Sequence, residues 1–187
     1  MGTVQNRAGE QMVGQMSALT VCGTSAVAIT LLTFPTITLG AGLAGANPGA
    51  NGFTRVALDA DLKNCDFSLT RNPPMIPSPM LATGWAEIIH TGSSAVAQVH
   101  LDAPNEPGAH YSVGLIEEPR PASATCGPGD PGTAFGGLDT DAAGVGTATV
   151  QDGLRSGTTG VWVIVERPNA HSHDPAEYYT SEFVAPV

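Results

Sequence analysis

Two histidines and an aspartate fall within four residues at His171-Ser172-His173-Asp174, the densest group of ligand-type side chains in the chain. Imidazole suits borderline metals such as Zn²⁺ and Cu²⁺, and a loop can turn two such rings toward one ion. The segment sits between Arg167-Pro168-Asn169 and Pro175, so it belongs to a loop, and a third ligand must come from His100, His110 or Glu177. An ordinary solvated loop has the same composition. His90, His100 and His110 stand ten residues apart. His100 shares strand parity with Gln98 and Asp102, which places it on a polar, solvent-facing side.

Other constellations carry less chemistry. Asp139-Thr140-Asp141-Ala142-Ala143-Gly144 opens like a calcium loop, but Ala143 and Val150 occupy the fifth and twelfth positions, which need oxygen ligands. A hairpin turn joining Leu138 to Thr147 accounts for it better. No G-x-S-x-G elbow is present for a serine nucleophile. The adjacent Glu117 and Glu118 point to opposite sides of a strand, which does not suit a paired acid and base. By the same parity Tyr178 and Tyr179 face opposite ways, leaving one exposed to a partner, while Trp85 and Trp162 read as core or rim residues. No catalytic or cofactor-binding residue is assigned, and the chain reads as non-enzymatic.

The elements that position these side chains are strands. From Asn47 onward no helical periodicity is seen, and Gly and Pro interrupt short apolar runs every ten residues or so, the punctuation of a sandwich or barrel. Strands are expected near Phe53–Asp59, Asp66–Thr70, Thr83–His90, Ala95–Leu101, His110–Glu117, Gly132–Leu138, Gly146–Val150, Thr159–Glu166 and Tyr178–Val184. Alternation is clearest at Ala95, Ala97, Val99 and Leu101, and at Tyr111, Val113 and Leu115, which should face the core. The run Val161-Trp162-Val163-Ile164-Val165 is apolar on both sides and should be a central, covered strand. Asp102–Gly108 reads as a Pro/Gly loop, and Asn72–Pro79 as an extended, proline-rich connection that cannot pair as an interior strand. Gly127–Gly132 (GPGDPG) reads as a mobile loop tethered at its start by Cys126.

Residues Ser25–Ala46 contain no charged side chain, and their apolar core Ala26–Phe34 is shorter than the roughly 20 residues a bilayer requires. The core leads to Ala44-Gly45-Ala46 and then Asn47-Pro48, an A-x-A pattern that reads as a signal-peptidase site. Residues 1–46 are therefore expected to be an export signal, with Met12 and Met16 as alternative starts, and 47–187 a single domain. Kept uncleaved, the segment would be a membrane anchor. Leu19-Thr20-Val21-Cys22 precedes the apolar stretch where a lipobox should follow one, so lipidation is rejected. With Cys22 removed, Cys65 and Cys126 remain and most simply pair with each other in an oxidising compartment. The formal net charge is −10, with Lys63 the only lysine beside six arginines. Such a surface favours solubility and disfavours nucleic acid or an anionic membrane.

One further pattern is Ala97-x-Val99-His100-Leu101, then Pro104-Asn105 and Tyr111-Ser112-Val113. It continues through Leu138-Asp139-Thr140-Asp141-x-x-Gly144-x-Gly146-Thr147-Ala148-Thr149-Val150, Gly160-Val161-Trp162-Val163 and Tyr178-Tyr179-Thr180-Ser181-Glu182-Phe183. It resembles exported β-sandwich proteins of actinobacterial type, loosely similar to CHRD and copper/zinc superoxide dismutase-like sandwiches, over roughly Gly84 to Val187. The resemblance implies fold and export rather than an activity. The dismutase family carries an H-x-H pair on a strand, whereas this chain reads His100-Leu101-Asp102. The bridging histidine and later aspartate ligand also have no counterpart, so dismutase activity is not carried over. The expectation is an all-β, immunoglobulin-like sandwich of about seven to nine strands. It would act at the cell envelope or outside the cell by binding an envelope or extracellular partner or by structural interaction. The alternative is a Zn- or Cu-binding protein, or a degenerate dismutase-like enzyme, built on His171 and His173.

Overall fold

Period-two alternation leaves one face of each strand apolar, and two such faces are buried by packing sheet against sheet. The computed structural model describes residues 52–187 and shows that outcome. The export segment 1–46, its cleavage site and Cys22 lie outside the described residues. Nine strands run β1 (Thr54–Asp59), β2 (Thr83–Thr91), β3 (Ser94–Asp102), β4 (His110–Glu118), β5 (Thr133–Asp139), β6 (Val145–Gly153), β7 (Gly160–Arg167), β8 (Glu177–Ser181) and β9 (Ala185–Pro186). All pair antiparallel in the order β5-β4-β7-β8-β1-β2-β3-β6, with β9 added to β7.

The described residues thus form an all-β, immunoglobulin-like sandwich. One layer is β1-β2-β3-β6 and the other is β5-β4-β7-β8. β1 serves both layers, pairing through Thr54–Ala57 with β2 and through Leu58 and Asp59 with β8. The far edges, β5 and β6, approach without a ladder between them, so the sandwich is nearly a closed barrel. There Gly136 faces Val150, 3.2 Å from where a Cβ would stand.

The core lies between the layers. Ala86, Ile88, Ala95, Ala97, Val99 and Leu101 meet Tyr111, Val113, Leu115, Val161, Val163, Val165 and Tyr179, all buried. Alanines on one layer leave room for the two tyrosines on the other, as close packing requires. β7 is buried along Gly160–Val165, with β4 on one side and β8 on the other. It is the central covered strand expected from its sequence.

Three expectations are corrected. Asp66–Thr70 is not a strand; only an isolated bridge joins Lys63 to Leu69. The Asp66 carboxylate instead accepts bonds from the Ser68 amide (3.2 Å) and hydroxyl (2.6 Å), closing a turn in which Phe67 adopts φ 61°. Those bonds hold the Asp66 carboxyl below the ordinary carboxylate range. The stretch expected over Tyr178–Val184 breaks after Ser181. There the Ser181 hydroxyl accepts from the Val163 amide (2.6 Å) and so substitutes for the next rung of the ladder, while the Glu182 amide crosses to Ala57 O (3.0 Å). Finally, Asp141–Gly144 forms a tight turn but no hairpin, because it passes from β5 in one layer to β6 in the other. Gly144 takes φ 84°, and the Asp141 carboxylate accepts from the amides of Ala143 (2.8 Å) and Val145 (3.0 Å).

Candidate ligand-binding cavity

Sheet faces that point away from the core normally meet water. The outer face of β4 and β7 does not, because its residues Ile116, Trp162 and Ile164 form a second buried cluster beneath Leu62, Phe67, Cys126, Phe135 and Val184. Two loops make that cover. The first leaves β1. Its turn, closed by Phe67 N to Asn64 O (2.9 Å) and Asn64 N to Ser68 O (2.7 Å), sets the Phe67 ring edge-on to Trp162 with centroids 5.5 Å apart.

The second loop leaves β4 through Glu118 and Pro119 and is bound at many points. Glu118 accepts from the Trp162 indole (3.0 Å) and the Arg120 amide (2.7 Å). The Arg120 guanidinium donates to the carbonyls of Glu117 (3.1 Å), Thr125 (2.7 Å) and Gly132 (2.7 Å), and to that of Pro131. Asp130 accepts from the Gly127 amide (2.8 Å), and the Thr133 hydroxyl donates to Gly127 O (2.9 Å). The GPGDPG stretch, expected to be mobile from its composition, is therefore anchored by hydrogen bonds at both ends. The Cys65–Cys126 disulfide, with Cα atoms 5.5 Å apart, joins the two loops.

Between loops and sheet lies an open cavity of about 560 Å³. Its floor is Ile116, Phe135 and Ile164, and its roof includes Leu62, Ala124 and the disulfide. Phe135 can lie across the floor because Gly114 has no side chain. A Cβ there would stand 2.7 Å from the Phe135 ring and 2.9 Å from Ile164. At one end of the floor stands Glu166, in register between Ser112 of β4 and Tyr178 of β8. No described residue donates a hydrogen bond to its carboxylate. Burial alone raises its pKa above the ordinary carboxylate value. Lys63 also lines the cavity, but its ammonium turns toward Asp61 (3.9 Å) and the Phe67 ring (5.2 Å).

The other acidic groups of this region are held. Glu117 is wholly buried, and burial pushes its pKa up; bonds from Thr158 (2.5 Å) and Arg155 (2.9 Å) outweigh that and bring it below the ordinary value. Glu118, facing the opposite side as parity requires, is raised by burial despite its bonds to Trp162 and Arg120. Glu177, 1% exposed, accepts from Tyr111 (3.0 Å), Tyr179 and Arg167 (3.2 Å). These three tie strands and loops together.

The sequence-selected residues land as follows. His171 and His173 lie exposed on the loop between β7 and β8, and His173 and Asp174 border a groove that shares Ser112 and Glu166 with the cavity. His171 does not border it. His100 stacks on Trp85 (4.0 Å) on the outer face of the other layer, with Arg55 over the same indole (4.4 Å). His110 bonds Asp139 (2.7 Å), and His90 is exposed near the end of β2. Among the described residues, no three His, Cys, Asp or Glu side chains are grouped to hold one metal ion. Tyr178 and Tyr179 do face opposite ways, but neither is exposed. Tyr179 enters the core, and Tyr178 is covered on the side of Asp61. No helix of the described residues is long and apolar enough to cross a membrane.

Glu166 and Lys63 were not singled out by motif. A signal did exist: Glu166 closes the covered run on the same parity as Trp162 and Ile164, which puts a carboxylate at the margin of an apolar outer patch. No family model, curated protein or solved structure matches the chain.

Proposed function

We propose that this protein is an exported, non-enzymatic binding module of the cell envelope or extracellular space that holds a small, largely apolar molecule in the cavity under its disulfide-joined loops. The observation that carries this reading is the cavity itself. Its size lies in the range of roughly 300–1,000 Å³ typical of ligand sites, and an apolar floor ends at one half-buried carboxylate that no described residue bonds. Export is supported by the A-x-A pattern before Asn47, by the disulfide and by the resemblance to exported β-sandwich proteins. Binding is favoured over turnover because no described acid, base or nucleophile is bonded to Glu166, so nucleophilic chemistry of the paired or triad kind has no residues to carry it.

The test is a ligand-observed NMR screen of apolar fragments against the mature chain and against Ala124→Trp, which fills the cavity from its roof without altering the floor. Saturable binding that disappears in Ala124→Trp is expected. Fragments that bind both proteins equally, or no fragment binding at all, would remove the cavity as the functional site.

A further inference from the structure

We infer that the ligand of this cavity is an organic ammonium ion, with its aromatic or branched apolar body seated on Ile116, Phe135 and Ile164 and its N–H groups donated to the Glu166 carboxylate. The inference rests on reading the cavity as a ligand site, and adds the ligand's chemical class. A carboxylate is a pure acceptor, and that of Glu166, half-buried at the end of the cavity floor, meets water on its open side and offers its oxygens to any donor the cavity admits. Among the described residues Glu166 has no donor, yet it opens onto a cavity with room for one. The cations of the neighbourhood are turned elsewhere. Arg167, next along β7, donates to Glu177 (3.2 Å), Glu106 (3.1 Å) and Ser78. Lys63 is directed at Asp61 and the Phe67 ring. A ligand N–H can therefore take the place of water at Glu166, and a charged donor makes the stronger bond. The formal net charge of −10 favours a cation and opposes a carboxylate or phosphate. Away from the end formed by Ser112 and Glu166, the floor of Ile116, Phe135 and Ile164 offers hydrocarbon and an aromatic ring, so the part of the ligand seated there should be apolar.

The probes are tryptamine, cationic at neutral pH, and tryptophol, its neutral counterpart with a hydroxyl in place of the amine. Binding is measured by isothermal titration calorimetry with the mature wild-type chain, Glu166→Gln and Ala124→Trp. Tryptamine should bind wild type about 10- to 100-fold more tightly than tryptophol, the difference expected of one charge-assisted hydrogen bond. Glu166→Gln should erase that difference and leave tryptophol binding unchanged. Ala124→Trp should weaken both. If the two probes bind wild type equally, or Glu166→Gln leaves the preference for tryptamine intact, the ammonium assignment is overturned while the cavity reading stands. If Ala124→Trp weakens neither probe, or neither probe binds, the ammonium assignment falls; a blank fragment screen then removes the cavity reading as well. A thermal melt of each variant confirms that it is folded, so loss of binding cannot be loss of structure.

Discussion

Glu166 and Glu177 lie on adjacent strands and show what a carboxylate does with and without partners. Glu177 is buried among Tyr111, Tyr179 and Arg167, and each donates to it. Burial, and then Glu177 through its charge at Tyr111 and its hydrogen bond at Tyr179, push both tyrosine hydroxyls well above the ordinary phenol value, so they remain donors at any physiological pH. Replacing Glu177 with Ala strands the hydroxyl protons of Tyr111 and Tyr179 and leaves Arg167 with only Glu106 and Ser78. The expected loss is about 3–5 kcal/mol in urea denaturation, the cost of breaking a buried charge pair from one side. Glu166 should behave oppositely. Its pKa is raised in the folded protein, so the fold favours the protonated form. That contribution is complete below the unfolded carboxylate value of roughly 4.3 and is lost as pH rises through the folded value. At pH 7 the wild type therefore carries a desolvated charge that Glu166→Gln does not. Glu166→Gln should melt at a higher temperature than wild type at pH 7, with the gain shrinking to nothing as the pH falls below 4. A variant that melts lower at pH 7 would show that Glu166 has a stabilising partner. A residue kept at a cost in stability is what a binding site predicts.

At the scale of elements, β4, β5 and β7 pack tightly beneath the loops. Gly114→Ala would place a methyl 2.7 Å from the Phe135 ring and 2.9 Å from Ile164. Overpacking of this kind costs about 1–3 kcal/mol, and here it would also lift Phe135 from the cavity floor. Denaturation midpoint and fragment affinity should fall together; a stable variant with unchanged affinity would mean that Phe135 is not part of the site. The strands themselves were legible because alternation reports burial directly. Ala95, Ala97, Val99 and Leu101 read as inward and are inward. The failures came where side chains compete with the backbone for hydrogen bonds. The hydroxyl of Ser181 ends β8, and the carboxylates of Asp66 and Asp141 bind the amides of their own turns. Residue type allows such bonds but does not demand them. The cavity was illegible for a different reason. It is built by two loops whose meeting over β7 depends on chain path, and the marks it leaves on the sequence are an outward Trp162 and Ile164 on a strand apolar on both sides, with Glu166 closing that run on the same parity.

Across the whole sandwich, the described residues form two apolar clusters of unequal standing. The larger one, between the sheets, is assembled by nine strands whose ladders do not involve the loops. The smaller one, Ile116, Trp162 and Ile164 with their cover, depends on the loops bearing Cys65 and Cys126. The disulfide closes a span of 61 residues, worth about 4 kcal/mol in the chain-entropy model. That span contains β2, β3 and β4, so its loss should lower global stability. Before global unfolding, however, the loops should open over an intact sandwich, because the hydrogen bonds of β4 and β7 survive without them. Trp162, whose indole meets the Phe67 ring of the first loop and bonds Glu118 at the start of the second, is the natural reporter. In a Trp85→Phe background, Cys65→Ser/Cys126→Ser should shift indole emission to longer wavelength and abolish fragment binding, while far-UV circular dichroism keeps its β-sheet form. Simultaneous loss of both signals would show that loops and sandwich unfold as one unit. Unchanged emission would show that the hydrogen bonds of Arg120 and Glu118 hold the roof without the disulfide. The expected separation would make the disulfide primarily a device for keeping a binding cavity closed on a frame that folds without it, consistent with the oxidising compartment that the export reading requires.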